Sequence, residues 1–141
     1  MKKINLTVSI FVIISMLVCL TSCGKNKTDL WENATYKEDI ELGKGSKKIY
    51  VEVEAEEKSV TFTINTDKES LGDALTEHKL ISGEQGAYGL YVKYVNGIKA
   101  DYDEDGYYWA LNINGEGSMT GVDGTKVTDG EHYELVRTDE M

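Results

Sequence analysis

From Lys47 the chain alternates strictly, with Ile49, Val51, Val53 and Ala55 on one face of an extended segment and Tyr50, Glu52 and Glu54 on the other. A period of two marks a half-buried strand. Glu56-Glu57-Lys58 interrupts the run, and Val60, Phe62 and Ile64 then alternate with Thr61, Thr63 and Asn65, so the two runs are expected to pair as a hairpin. Thr66 and Glu69 stand three apart, as in a capping box. Leu71, Ala74, Leu75 and His78 follow at i, i+3, i+4 and i+7, predicting a short helix that His78 ends and a region that Gly83 closes. Residues 88–95 are then rich in aromatic and β-branched side chains, Asn96-Gly97 is a two-residue hairpin signal, and residues 98–101 return. An acidic turn at 103–106 leads into a strand at 107–113, a second Asn-Gly at 114–115, a Gly121-Val122-Asp123-Gly124 loop and a last strand over residues 132–137. Too little chain separates these strands for repeated βαβ crossovers, and no proline forces an edge or a bulge. The predicted class is therefore α+β: a hairpin, one helix and several further strands in a β-grasp-like mixed sheet, with the helix packed on one face.

Residues 24–46 show neither period and read as a flexible tether, in which Leu30-Trp31 is an apolar exception that docks on the domain, touches a partner or does nothing. The chain begins with Lys2 and Lys3, continues through a largely apolar run at 6–20 and ends that run in small residues before a cysteine, which is the order of a secretory signal. Leu20-Thr21-Ser22-Cys23 resembles the lipobox of bacterial lipoproteins. That resemblance implies cleavage before Cys23 and a diacylglyceryl group on its sulfur, where two acyl chains hold a protein stably to a membrane. It also implies a place on the outer face of the cytoplasmic membrane of a single-membrane, Gram-positive-type bacterium. A plain signal peptide or an uncleaved helix is the alternative, but the apolar run is shorter than the roughly 20 residues that span a bilayer. The expected division is a signal peptide at 1–22, a lipidated N-terminus and tether at 23–46, and one domain at 47–141.

Charge narrows the partners. The full chain has a formal net charge of −10, and removal of residues 1–22 takes away two lysines and no acid. Such a surface repels nucleic acid and anionic lipid headgroups, so the acyl chains and not a basic patch must hold it to a membrane. Cys19 leaves with the signal and Cys23 carries lipid, so no disulfide or thiolate cluster is expected and the core alone must hold the fold.

Few motifs carry chemistry. Asp101-x-Asp103-x-Asp105-Gly106 reproduces the first six positions of an EF-hand-type calcium loop. The twelfth position is Asn112 where a bidentate glutamate belongs, so Asp101, Asp103 and Asp105 would bind calcium only with other ligands, and a solvated acidic hairpin tip explains them equally. His78 and His132 are too few and too scattered to define a zinc site. With no G-x-S-x-G, no usable Cys-His pair and no glycine-rich phosphate loop, a non-enzymatic protein is expected. Asn33-Ala34-Thr35 matches a glycosylation sequon, a pattern short enough to arise by chance. Gly121, Val122 and Asp123 are either a recognition loop or turn chemistry.

Thr66-Asp67, Leu71-Gly72-Asp73-Ala74-Leu75, Tyr88-Gly89-Leu90-Tyr91-Val92, Val95-Asn96-Gly97-Ile98, Asp101-Tyr102-Asp103, Tyr108-Trp109-Ala110-Leu111, Asn114-Gly115, Gly121-Val122-Asp123 and Thr128-Asp129-Gly130 together resemble the small domain of Gram-positive surface proteins. That domain is similar to the C-terminal β-domain of the cobalamin carriers transcobalamin and intrinsic factor. The resemblance implies a corrinoid ligand lying against Tyr108, Trp109, Ala110 and Leu111, and Asn114, Gly121, Val122 and Asp123 are further candidate ligand-binding residues. In the carriers a large helical domain completes the clasp, so a membrane transporter or surface protein is the implied partner here. The alternative is a structural or adhesive module whose aromatic face or sheet edge meets another protein, with no small-molecule ligand. Replacing Cys23 by alanine is expected to move the protein from the membrane fraction to the soluble fraction, as read by immunoblot after fractionation.

Overall fold

A computed structural model describes residues 28–140; the expected signal segment and the lipidation residue Cys23 lie outside the described residues. The alternating runs form β2 (Lys47–Ala55) and β3 (Lys58–Thr66), paired antiparallel from Lys47 opposite Thr66 to Ala55 opposite Lys58. Their apolar faces are buried almost completely, from Ile49 to Ala55 on one strand and from Val60 to Ile64 on the other. A short β1 (Ile40–Leu42) lies parallel to β3, and β9 (His132–Thr138) lies parallel to β2 on its other side. Next to β9 come β7 (Tyr108–Ile113), antiparallel, and β8 (Glu116–Gly117). The six-stranded mixed sheet thus has the order β1-β3-β2-β9-β7-β8.

The strands that follow the helix divide between two sheets instead of completing one. β4 (Ile81–Gly86), β5 (Gly89–Val95) and β6 (Ile98–Lys99) form a separate antiparallel sheet. Gly83 therefore lies inside a strand instead of closing the helical region, and a Cβ there would collide with the carbonyl oxygen of Tyr91. That close approach occurs where the register shifts, because Ser82 pairs with Tyr94 while Gly83 pairs with Val92, leaving Lys93 as the extra residue of a bulge. The helix α1 (Leu71–Glu77) buries Leu71, Ala74 and Leu75 against the core shared by both sheets.

The helix start differs from the capping-box expectation. Ser70 is the cap, its hydroxyl accepting from the Asp73 amide at 3.1 Å, and Thr66 ends β3 with its hydroxyl accepting from Lys68. The first amides of a helix need partners from outside it. Here Leu71 donates to the Thr125 carbonyl and Gly72 to the Val122 carbonyl, so the loop at 121–125 completes the cap. The acidic turn is one turn of helix, α2 (Tyr102–Asp105), ended by Gly106 in the left-handed region.

The segment expected as a tether is part of the domain from its first described residues. Leu30–Asn33 form a 3-10 turn whose Trp31 is 5% exposed, its indole nitrogen donating to the Ala55 carbonyl at 3.0 Å. Farther on, the fully buried Asn96 accepts from the Tyr36 amide at 2.9 Å and donates to the Tyr36 carbonyl at 2.8 Å, while its own carbonyl accepts from Thr35. A single apolar pair and partners 60 residues away leave no periodic trace, which is why alternation alone puts the boundary at Lys47. Trp31→Ala is expected to lower stability by about 3–5 kcal/mol, the usual cost of emptying a buried tryptophan site, measured as a lower urea midpoint at unchanged slope.

Candidate functional site

The predicted ligand residues do not converge. In β7 the alternation sends Trp109 and Leu111 toward the core and Ala110 to the other face, so the three share no surface. Trp109 is 8% exposed, and its indole nitrogen is buried without a hydrogen-bond partner. Tyr108 is half-buried and donates its hydroxyl to the Glu140 carbonyl. Asn114 sits in the left-handed region of the β7–β8 turn, where its side chain accepts from the His132 amide and donates to Glu131, both at 3.2 Å. Gly121 and Val122 belong to the loop that caps α1, with Val122 buried. Asp123 accepts from the Leu90 amide at 2.8 Å, and a Cβ on either Gly72 or Gly89 would strike its carboxylate. It is a wedge between the helix and β5, which explains the glycines opposite it.

The aspartates of the calcium-like loop are engaged by the protein. Asp101 caps α2 by accepting from the Asp103 amide and forms an ion pair with Lys93 at 3.1 Å. Asp105 accepts from the Asp101 and Tyr107 amides and pairs with Arg137 at 3.1 Å, while Arg137 also lies 3.9 Å from the Tyr107 ring centre and donates to the Lys99 carbonyl. The hydrogen bond from Lys93 holds the Asp101 carboxyl below its usual value against the opposing effect of burial. Glu84 and Asp101 in turn hold Lys93 firmly protonated. An alternating acidic motif here staples α2 to β5 and β9, and two of the three proposed calcium ligands have cationic partners.

Two surfaces absent from the sequence reading have the properties of binding sites. The first is the outer face of the three-stranded sheet. Tyr91 and Tyr94 are 44% and 40% exposed, and Tyr88, at the hairpin tip, is fully exposed. At a spacing of three they would fall on opposite faces of a regular strand, but the bulge at Lys93 shifts the alternation and brings Tyr91 and Tyr94 to one side. The second is on the outer face of the large sheet, where Glu52 lies directly opposite Glu134 in the β2–β9 register. The His132 Nε2 is 3.3 Å from a Glu52 oxygen and 3.8 Å from a Glu134 oxygen. Glu52 and His132 are 80 residues apart, so no local spacing announces the cluster. A shallow groove of about 600 Å³ also runs between α1 and β4, lined by Ser70, Asp73, Thr76, Gln85 and Asp123 among others. Asp123 is the one predicted ligand residue that reaches it.

Residues 68–133 match the family described as Domain of unknown function (DUF4430). Among solved structures, a candidate metal-binding protein from Ruminococcus gnavus is 33% identical, with a TM-score of 0.64 over 68% of this chain and 100% of that one. Haptocorrin in complex with Cbi is 20% identical, with a TM-score of 0.52 over 71% of this chain and 27% of that one, a likeness of fold. No curated protein matches the sequence. The Asp101 carboxyl has a lowered pKa in the fold, held down by the hydrogen bond from Lys93, so its stabilising contribution is present above the unfolded value near 4 and is lost as pH falls through the folded value. Asp101→Asn is expected to be less stable than the parent at neutral pH and to lose less stability on acidification below about pH 4, measured by thermal melts across that range.

Proposed function

The chain belongs to the family of the Ruminococcus gnavus protein, and from that premise we propose that it is a lipid-anchored, extracytoplasmic, non-enzymatic binding module. It holds its ligand against the outer face of the three-stranded sheet. The observation that carries this reading is the uncovered group Tyr88, Tyr91 and Tyr94. Tyrosine offers a broad, stiff apolar ring with a polar tip, which suits recognition at little entropic cost. A corrinoid, the ligand class represented by Cbi in haptocorrin, is flat, partly apolar and rimmed with amides, so an aromatic shelf with nearby polar groups fits its chemistry.

An open face buries only one side of such a ligand. The match to haptocorrin spans 27% of that chain, and in this reading a transporter or surface protein supplies the second covering surface. The short reach from Cys23 to Thr28, at most about 3.6 Å per residue, keeps the domain close to the membrane where that partner would sit.

A second reading, metal capture, is favoured by the convergence of Glu52, His132 and Glu134. The description of the Ruminococcus gnavus relative as a candidate metal binder supports it.

Calorimetric titration of the purified protein with cobinamide and cyanocobalamin tests the first reading. Saturable heat is expected, weakened about tenfold or more by Tyr91→Ala, in line with about 1.4 kcal/mol for one lost aromatic contact. Absence of heat up to millimolar ligand would reject corrinoid capture and leave the tyrosine face to a protein partner.

A further inference from the structure

We propose that Glu52, His132 and Glu134 form a mononuclear site for a first-row divalent transition metal of the zinc class, an assignment that deepens the metal-capture reading and rests on it. The three side chains come from the two central strands of the large sheet and project from the same face, because Glu52 pairs with Glu134 and Tyr50 with His132 in the parallel register of β2 and β9. A ligand atom from each lies within 4.8 Å of the other two.

The spacing suits a small ion. Two donors bound tetrahedrally to zinc at about 2.0–2.1 Å stand ~3.3–3.4 Å apart, and the imidazole nitrogen lies 3.3 Å from Glu52 and 3.8 Å from Glu134. The donor set is one imidazole and two carboxylates, with each residue half-buried, so water reaches the remaining coordination positions. The imidazole favours zinc, copper, iron or nickel, whereas calcium takes six to eight oxygens, more than two carboxylates supply.

The charges favour an ion as well. Like charges directly opposite on neighbouring strands destabilise a sheet. A divalent ion between them offsets both carboxylates. The surroundings orient the ligands. Asn112, opposite Glu134 on β7, donates to its Oε2 at 3.2 Å, while Oε1 is the atom near His132. The His132 amide donates to Asn114 at 3.2 Å, which pins the start of β9. An outer partner such as Asn112 fixes the direction of a metal ligand, here the Glu134 carboxylate. The acidic turn at 101–105 lacks this character, because Lys93 and Arg137 already neutralise Asp101 and Asp105.

The test is a titration of the purified full chain in detergent with Co²⁺, followed by Zn²⁺ competition. It records the cobalt ligand-field absorption and the ¹⁵N shifts of the His132 ring. One saturable site that perturbs His132 is expected, with affinity lost in His132→Gln and in Glu134→Gln. Asn112→Ala is expected to weaken binding about 10-fold, and Glu116→Gln, outside the cluster, to leave it unchanged. If melting curves show that His132→Gln does not fold, Glu52→Gln carries the same test. Binding retained by Glu52→Gln, His132→Gln and Glu134→Gln would overturn this site while the metal-capture reading stands. Absence of binding by the parent would overturn both.

Discussion

The parallel pairing of β2 with β9 is the contact on which the rest of the architecture depends, because it joins the N-terminal hairpin to the C-terminal strand at the centre of the large sheet. Parallel neighbours cannot be joined by a tight turn, so the intervening chain must cross over one face. Here the intervening chain contains β3, α1, the three-stranded sheet and α2 as well as β7 and β8. Apolar side chains of α1, the three-stranded sheet and β7 share one core with the inward residues Tyr133 and Leu135 of β9. β7 then docks on the far edge of β9, so losing the central pair would detach β7 and β8 as well.

Polar side chains that read as functional spend much of their hydrogen-bonding capacity on this assembly. Asn96 ties the segment around Tyr36 to a turn, Asp123 wedges between α1 and β5, and Asp101 and Asp105 anchor α2 through Lys93 and Arg137. The Tyr133 phenol, pushed up to about 12 mainly by burial and then by its hydrogen bond to Glu131, donates to that carboxylate and accepts from the Thr128 amide beside the last strand. Buried or crowded polar groups left without partners cost free energy, and a small domain has few other ways to fix its loops. In the proposed function, recognition falls instead to side chains on the outward faces of the two sheets.

Those faces differ in chemistry. The three-stranded sheet turns outward Tyr91 and Tyr94 beside Glu84 and Lys99, each held in an ion pair, and the large sheet turns outward threonines, glutamates, Tyr50 and one histidine. A broad organic ligand or a protein suits the first, and a small cation suits the second. The family relationship to the Ruminococcus gnavus protein and the fold shared with haptocorrin are compatible with either surface being used.

Alternation and turn chemistry alone determined the β2–β3 hairpin, the α1 stripe of Leu71, Ala74 and Leu75, the Asn-Gly turns and the last strand, because each depends on neighbours a few residues away. The mixed α+β class was legible for the same reason. Tertiary structure decided three things that local patterns could not carry. It divided the later strands into two sheets, and it drew Trp31 into the core under a carbonyl 24 residues away. It also turned Trp109 inward, since period two says only that Trp109 and Leu111 share a face and never which face is wet. The Glu52, His132 and Glu134 cluster is the extreme case: its members become neighbours only through a parallel register between strands 80 residues apart, and no spacing in the sequence encodes that register.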